Sequence, residues 1–235
     1  MALQKTLLDM RTAVRTNLDE PTASFWSDTQ LTGFINRSKD RVWQEVRKAN
    51  QDYFVVTRVS NDGIVSILGE NYNCANFQVA INTLDFTLPP DFATMISNRC
   101  QTAGYEWLRL VFRRHSDPDF RRALEETQNR TPRYYTLIGE RTWRIAPRSD
   151  ATLEWAITYA FIVPDLTSST SPLEMPHPLY MAVEQYASAE ALMMDRSPDA
   201  AAWEAKANAT IALFLGANER QQTETPTVVG YLEEW

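Results

Sequence analysis

The chain has 235 residues, of which 44% are hydrophobic and 23% charged, ordinary globular usage that argues against a disordered, collagenous or membrane-embedded protein. That length accommodates one large domain or two modest ones without disulfides or metals to hold them. Of the net charge of −7, the excess acid lies at the C-terminal end, where residues 163–235 carry 3 basic and 11 acidic groups, against 8 and 7 in residues 1–52 and 12 and 12 in residues 53–162; general polyanion binding is disfavoured, but a local basic surface is allowed.

Leu3, Leu7, Met10, Val14 and Leu18 recur at helical spacing and predict a first helix, broken at Asp19-Glu20-Pro21. Ser27 with Gln30 three residues later is a capping-box pattern. It opens a second helix whose apolar face is Leu31, Phe34, Ile35, Val42 and Val46, with Ser38 small enough for close approach and Trp43 at the flank. Phe25 and Trp26, just before the cap, are placed to staple that helix or cover the open end of the hairpin.

The period changes after residue 52. Tyr53–Val59 is β-branched and aromatic, and Asn61-Asp62-Gly63 supplies turn chemistry before Ile64–Leu68, which predicts a hairpin. Residues 69–83 read as a loop or small insertion with a short strand at Phe77–Ile81. Phe86-Thr87-Leu88 runs into the turn Pro89-Pro90-Asp91-Phe92, and residues 94–113 supply two strands about Gly104, the second with Tyr105, Trp107, Leu108, Leu110 and Phe112 in alternation. Ser116, as hydroxyl cap, with Asp117, Pro118 and Asp119 starts a short helix running through Phe120–Gln128. Tyr134–Ile138, the turn Gly139-Glu140 and Arg141–Ile145 form a second hairpin, and Leu153, Trp155, Ile157, Tyr159 and Phe161 alternate so that one face must be buried.

Residues 163–177 are a proline-rich crossover. A helix over about 178–194 follows, with Leu179, Val183, Tyr186, Ala187 and Met194 on its apolar side, and another after Ser197-Pro198 uses Trp203, Ala207, Thr210, Ile211 and Phe214. From 217 the period is lost and an extension begins. The expected fold is α+β: a discontinuous four-helix bundle from residues 1–52 and 178–216, an inserted β-rich domain at 53–162 with a short helix near 117–128, and a C-terminal extension at 217–235.

Chemistry is harder to find. No stretch reaches the roughly 18 apolar residues of a membrane span and Met1–Met10 has no signal-peptide core, so the chain is expected to remain in the cytosol that makes it. Cys74 and Cys100 are not spaced for a zinc site or disulfide framework, His115 and His177 lie in loops without further ligands, and no nucleophile elbow, phosphate loop or dinucleotide turn occurs. No cofactor, metal or catalytic residue is expected. What stands out is arginine: Arg109, Arg113, Arg114, Arg121, Arg122, Arg130, Arg133, Arg141, Arg144 and Arg148 fall within 40 residues that hold five acids and no lysine. Such a set decorates a lobe, pairs with the acidic C-terminal segment across subunits, or meets nucleic-acid phosphates. The extension ends in Val228, Val229, Tyr231, Leu232 and Trp235, apolar anchors of the kind that fold onto a partner, or a frayed end.

One ordered set of short motifs resembles the head-to-tail adaptor, or connector, proteins of tailed bacteriophages. It comprises Leu7–Leu18 leading to Glu20-Pro21, Phe25-Trp26-Ser27-Asp28, Leu31 with Ile35-Asn36-Arg37, Leu88-Pro89-Pro90-Asp91-Phe92, Trp155–Tyr159, and Met175-Pro176 leading through Tyr180 to Tyr186-Ala187. The resemblance implies a non-enzymatic virion protein at the portal-tail junction, present in the host cytoplasm before assembly. It implies a homo-oligomeric ring, commonly of twelve copies and compatible with a monomer in solution, between the portal protein and a tail or nozzle protein, with genomic DNA passing through the lumen unread and no membrane partner. On this chain, Val228, Val229, Tyr231, Leu232 and Trp235 become the portal-binding tail. Arg109, Arg113, Arg114, Arg121, Arg122, Arg133, Arg141 and Arg144 become the subunit or tail interface. The middle, at 69–83 and 116–128, is larger than shorter members of the family have. Nucleic-acid binding through 109–148 is the alternative.

Overall fold

Where the first two helices begin is written in their caps. Thr6 accepts the Asp9 amide proton while Asp9 accepts that of Thr6, and Ser27 with Gln30 repeats the arrangement at the next helix; each pair satisfies two amide groups that a helix start leaves unpartnered. The computed structural model describes residues 4–20, 25–59, 64–67, 70–73, 84–101, 108–126, 131–139, 141–149 and 153–223. In chain order the elements are α1 (Leu7–Asn17), α2 (Asp28–Ala49), β1 (Val55–Val59), β2 (Ile64–Ile67), β3 (Glu70–Asn73), β4 (Asp85–Thr87), β5 (Phe92–Gln101), β6 (Leu108–Arg109), β7 (Val111–Phe112), α3 (Pro118–Glu125), β8 (Tyr134–Ile138), β9 (Thr142–Ala146), β10 (Glu154–Phe161), α4 (Pro178–Met194) and α5 (Ala200–Thr223). The protein is α+β, and its contacts divide it into two units: Met1–Gln51 with Asp165–Trp235, and Asp52–Pro164.

In the first unit α4 packs against α5, α2 and α1, and α2 also meets α1 and α5. The stripe expected on α2 is buried in full, from Leu31 through Phe34, Ile35, Ser38 and Val42 to Val46. Small residues let the backbones approach: Ala182, Ala187, Ser188 and Ala191 on α4 are fully buried, as is Ala207 on α5. Trp26 is buried and meets Phe34, in the second turn of α2, edge-on at 5.4 Å, whereas Phe25 is 63% exposed. Met194, expected on the apolar side of α4, is also exposed, at the last residue of the helix. Helix α5 runs through Gly216 to Thr223. An extension beginning at 217 is therefore corrected: a glycine inside a helix costs only about 1 kcal/mol relative to alanine, and the glutamate, arginine and glutamines after it are good helix formers.

The second unit is built from two four-stranded sheets, ordered β1-β10-β5-β6 and β4-β9-β8-β7, and a two-stranded hairpin β2-β3. Among the described residues the pairings are antiparallel except that of β7 with β8, which is parallel. The alternation of β10 buries Leu153, Trp155, Ile157 and Tyr159 against Phe86, Trp143 and Ile145 of the facing sheet, where Trp143 and Trp155 meet edge-on at 5.0 Å. The β8–β9 hairpin forms as predicted, with Gly139 in its turn at φ 67, a region that glycine enters without a Cβ penalty. Helix α3 buries Phe120 and Ala123 with Ala146 of β9.

Four expectations fail here. Strand β1 pairs with β10, not with β2; β2 forms where a strand was expected, but its hairpin partner is β3, inside the 69–83 stretch expected to be a loop or small insertion. Pairing β1 with β10 places its partly buried residues beside a strand that buries Trp155, Ile157 and Tyr159, which a local turn cannot offer. The second strand of 94–113 is two short strands in different sheets, so Leu110 is buried while Leu108 and Phe112 are exposed. The cap of α3 is the Asp117 carboxylate, which accepts from the Asp119 amide at 2.9 Å, rather than the Ser116 hydroxyl. Asn61-Asp62-Gly63, Phe77–Ile81, Gly104, Tyr105 and Trp107 lie outside the described residues.

Because Ala187 has no exposed surface, Ala187→Leu is expected to destabilise the protein by about 1–3 kcal/mol through overpacking, read as a lower urea midpoint, while the same change at the exposed Ala201 leaves the midpoint nearly unmoved.

Candidate functional site

Several residues of the motif set turn out to hold the helical unit together. Arg15, 8% exposed, donates from Nη2 to the Trp26 carbonyl at 2.9 Å and to Asp28 at 2.8 Å, and its Nη1 lies 3.6 Å from Glu20. Glu20 in turn accepts the Phe25 and Trp26 amide protons. One guanidinium thus ties the end of α1 to the start of α2, and its hydrogen bond holds the Asp28 carboxyl below the usual aspartate range. The sequence marks Glu20 only as part of a helix break; its partners come from the loop fold.

The crossover is fastened in the same manner. Asn36 donates to the Leu166 carbonyl at 3.2 Å and accepts its amide proton at 2.9 Å. Lys39, 1% exposed, reaches Asp165 at 2.7 Å and Asp40 at 3.0 Å. Lys5 reaches Glu184 at 2.5 Å; burial nevertheless raises the Glu184 carboxyl, with Lys5 opposing. Residues 168–173 also receive the first amides of α1, with Leu7 donating to Ser171 and Leu8 to Ser169.

The arginines divide into two sets. Arg144 is held bidentately by Asp85, directly opposite it in the β4–β9 ladder, at 2.6 Å for each bond, so the Asp85 carboxyl lies below the usual range. Arg133 pairs with Glu126, Arg113 lies 3.8 Å from Asp117, and both guanidiniums stand over the Tyr134 ring at 5.8 and 5.7 Å. Arg141 donates to the Leu88 carbonyl at 3.3 Å. Arg109, Arg114, Arg121 and Arg122 are exposed and have no carboxylate partner among the described residues. Arg121 and Arg122 stand on α3, Arg109 on β6 and Arg114 just beyond β7. Val228, Val229, Tyr231, Leu232 and Trp235, and with them Arg130, lie outside the described residues.

His115 stacks on Phe120 and His177 on Tyr180, and burial pushes the Cys100 thiol up to about 12, so its reactive thiolate is suppressed at neutral pH. A cleft of about 260 Å³ between α2 and α4 is spanned by its own pairs, Arg37 with Glu190 at 2.5 Å and Arg41 over Tyr186 at 4.2 Å. The family model described as SU10 adaptor protein matches residues 5–230. No curated protein matches the chain.

The Asp85–Arg144 pair has a pH signature. Because the folded Asp85 carboxyl sits below its unfolded value, the pair stabilises fully above the ordinary aspartate range of about 4 and loses its effect as pH falls through the folded value. Asp85→Asn is expected to cost about 0.5–1 kcal/mol at pH 7, a value kept small by partial exposure, and the gap in urea midpoint from the unsubstituted protein narrows in acid.

Proposed function

The chain belongs to the SU10 adaptor family, a family of phage head-to-tail adaptors, and from that membership we propose that it forms a ring of twelve copies between the portal and the tail or nozzle proteins, continuing the DNA channel. The observation that carries the reading is the extent of the match, residues 5–230, which takes in both structural units. The role is structural and non-enzymatic, at the head-tail junction of the virion.

In this reading α1, α2, α4 and α5 act as one four-helix bundle domain of residues 1–52 and 178–216, with the inserted 53–162 domain turned to neighbouring subunits or the tail. Ring symmetry repeats one heterologous contact around the assembly, which suits a chain that carries basic and acidic stretches separately. The arginines without internal partners, Arg109, Arg114, Arg121 and Arg122, are the better candidates for that contact, and Arg144 the poorer one. Helices α4 and α5 carry more acid than base, as a lumen that must let DNA slide during ejection requires, since each strong phosphate contact adds affinity and retards movement. Val228, Val229, Tyr231, Leu232 and Trp235 anchor the ring on the portal.

Among the described residues no helix is long and apolar enough to cross a membrane. A second reading, nucleic-acid binding through 109–148, draws on the same four arginines; it requires DNA affinity that falls steeply with salt.

Mixing the protein with its portal and imaging the product by electron microscopy is expected to show a stacked ring, and no association would reject the adaptor placement. Ending the chain after Thr223 removes no residue of the described core, whose last buried side chain is Phe214. That truncation is expected to abolish portal capture while circular dichroism stays unchanged; undiminished capture would reject the anchor.

A further inference from the structure

Strand β5 runs from Phe92 to Gln101, but β6 lies beside only its Arg99 and Cys100. Among the described residues no strand occupies that side of β5 before Arg99, so its edge at 96–98 is open. Strand β7 ends the other four-stranded sheet. Val111 and Arg113 donate to the carbonyls of Arg133 and Tyr135 at 2.9 Å each, which turns the Phe112 amide and carbonyl to the outer side. A groove of about 370 Å³ lies at these two edges, lined by Ser97, Asn98, Arg109, Val111, Phe112 and Tyr135, among others. Val111 and Phe112 are each 51% exposed, and apolar side chains beside open sheet edges are a template for a further strand.

The polar groups of the groove define what that strand must carry. Asn98 is 1% exposed, yet neither its side-chain oxygen nor its nitrogen has a hydrogen-bond partner, a costly state that an incoming donor and acceptor relieve. Arg109 stands directly opposite Arg99 in the β5–β6 ladder; both are exposed, and neither forms an ion pair among the described residues. Like charges at paired positions repel. Side chains alternate between the faces of a strand, so the two arginines share the outer face of the sheet while the buried Asn98 and Cys100 lie on the inner one. A strand laid beyond β6 therefore meets positive charge on one face and an apolar groove with an unpaired amide on the other.

We infer that this groove is the docking site for an extended segment of another protein, one that continues the row begun by β6 along β5 and carries acid on one face and apolar side chains on the other. The acids neutralise Arg99 and Arg109, the apolar side chains cover Val111 and Phe112, and a hydroxyl or amide among them reaches Asn98. Two copies of this chain joined edge to edge through β6 would gather four guanidiniums instead of neutralising two. Duplex DNA would meet the arginines but leave the apolar side chains uncovered. The docking concerns the isolated chain and does not rest on the ring reading.

The probe is a peptide with acetylated and amidated ends in which glutamate alternates with valine, one central valine being replaced by threonine. Titrated into the full isotope-labelled chain, it is expected to shift the backbone amide signals of Ile96, Ser97, Asn98 and Phe112. Lysine in place of the glutamates should weaken binding roughly tenfold, and Arg99→Glu with Arg109→Glu should reverse the preference between the two peptides, since complementary charge selects the partner. Methylating the peptide's backbone nitrogens should abolish binding, because strand addition is made by main-chain hydrogen bonds. No shifts, shifts confined to other residues, equal binding of the two peptides, or undiminished binding after methylation would each overturn the inference. So would the same signals moving on self-association of the chain or with added duplex DNA while the peptide leaves them in place. If the doubly substituted chain fails to fold, the charge reversal in the peptide, which leaves the protein untouched, decides alone.

Discussion

Ten of the seventeen residues of α4 are buried, and they are covered from several sides at once: α5 follows it in the chain, while α1 and α2 come from the far end of the sequence. The helical unit depends on that burial. A helix pair made of α4 and α5 alone would lack the cover that α1 and α2 give α4, and α1 with α2 alone would lack that of α4. Most of the polar fastenings described above serve this packing. Lys5, Asn36 and Lys39 each bind the chain where it returns, and Arg15 fixes the angle at which α1 turns into α2.

What could be read without coordinates follows from locality. The Ser27 cap, the α2 stripe, the β8–β9 hairpin and the buried face of β10 all depend on residues a few positions apart, where caps, turns and periodicity act directly. The pairing of β1 with β10 depends on residues about a hundred apart, and a strong turn signature at 61–63 pointed to a nearer partner. Leu110 defeats alternation for a different reason: the chain changes sheets there, so period two does not continue across it. Of the candidate surface, the sequence could show that arginine is concentrated between 109 and 148. It could not show that Asp85 would stand opposite Arg144, which removes that residue from the exposed set and leaves Arg109, Arg114, Arg121 and Arg122.

Charge therefore works at two ranges in this molecule. Within the fold, paired groups such as Arg144 with Asp85 and Arg15 with Asp28 are short-range, geometric and partly shielded from salt. The arginines left over on α3 and around β6 and β7 present exposed charge without a carboxylate partner among the described residues, while the chain's excess of acid lies in residues 163–235. An adaptor benefits from that separation, because its strong internal pairs hold the shape while the unpaired charges choose what the shape meets.

The return of the chain to the helical unit has a consequence for how the protein is made. On the ribosome α1 and α2 emerge first, yet the helix that covers them appears only after the whole second unit has been synthesised. The second unit is contiguous and can fold as it emerges, while the apolar stripes of the first two helices wait. A premature stop between Pro164 and Pro178 would release a product with a complete β unit and a sticky, unfinished helix pair. Such a fragment would be an aggregation hazard for the host cell's chaperones rather than a partial adaptor.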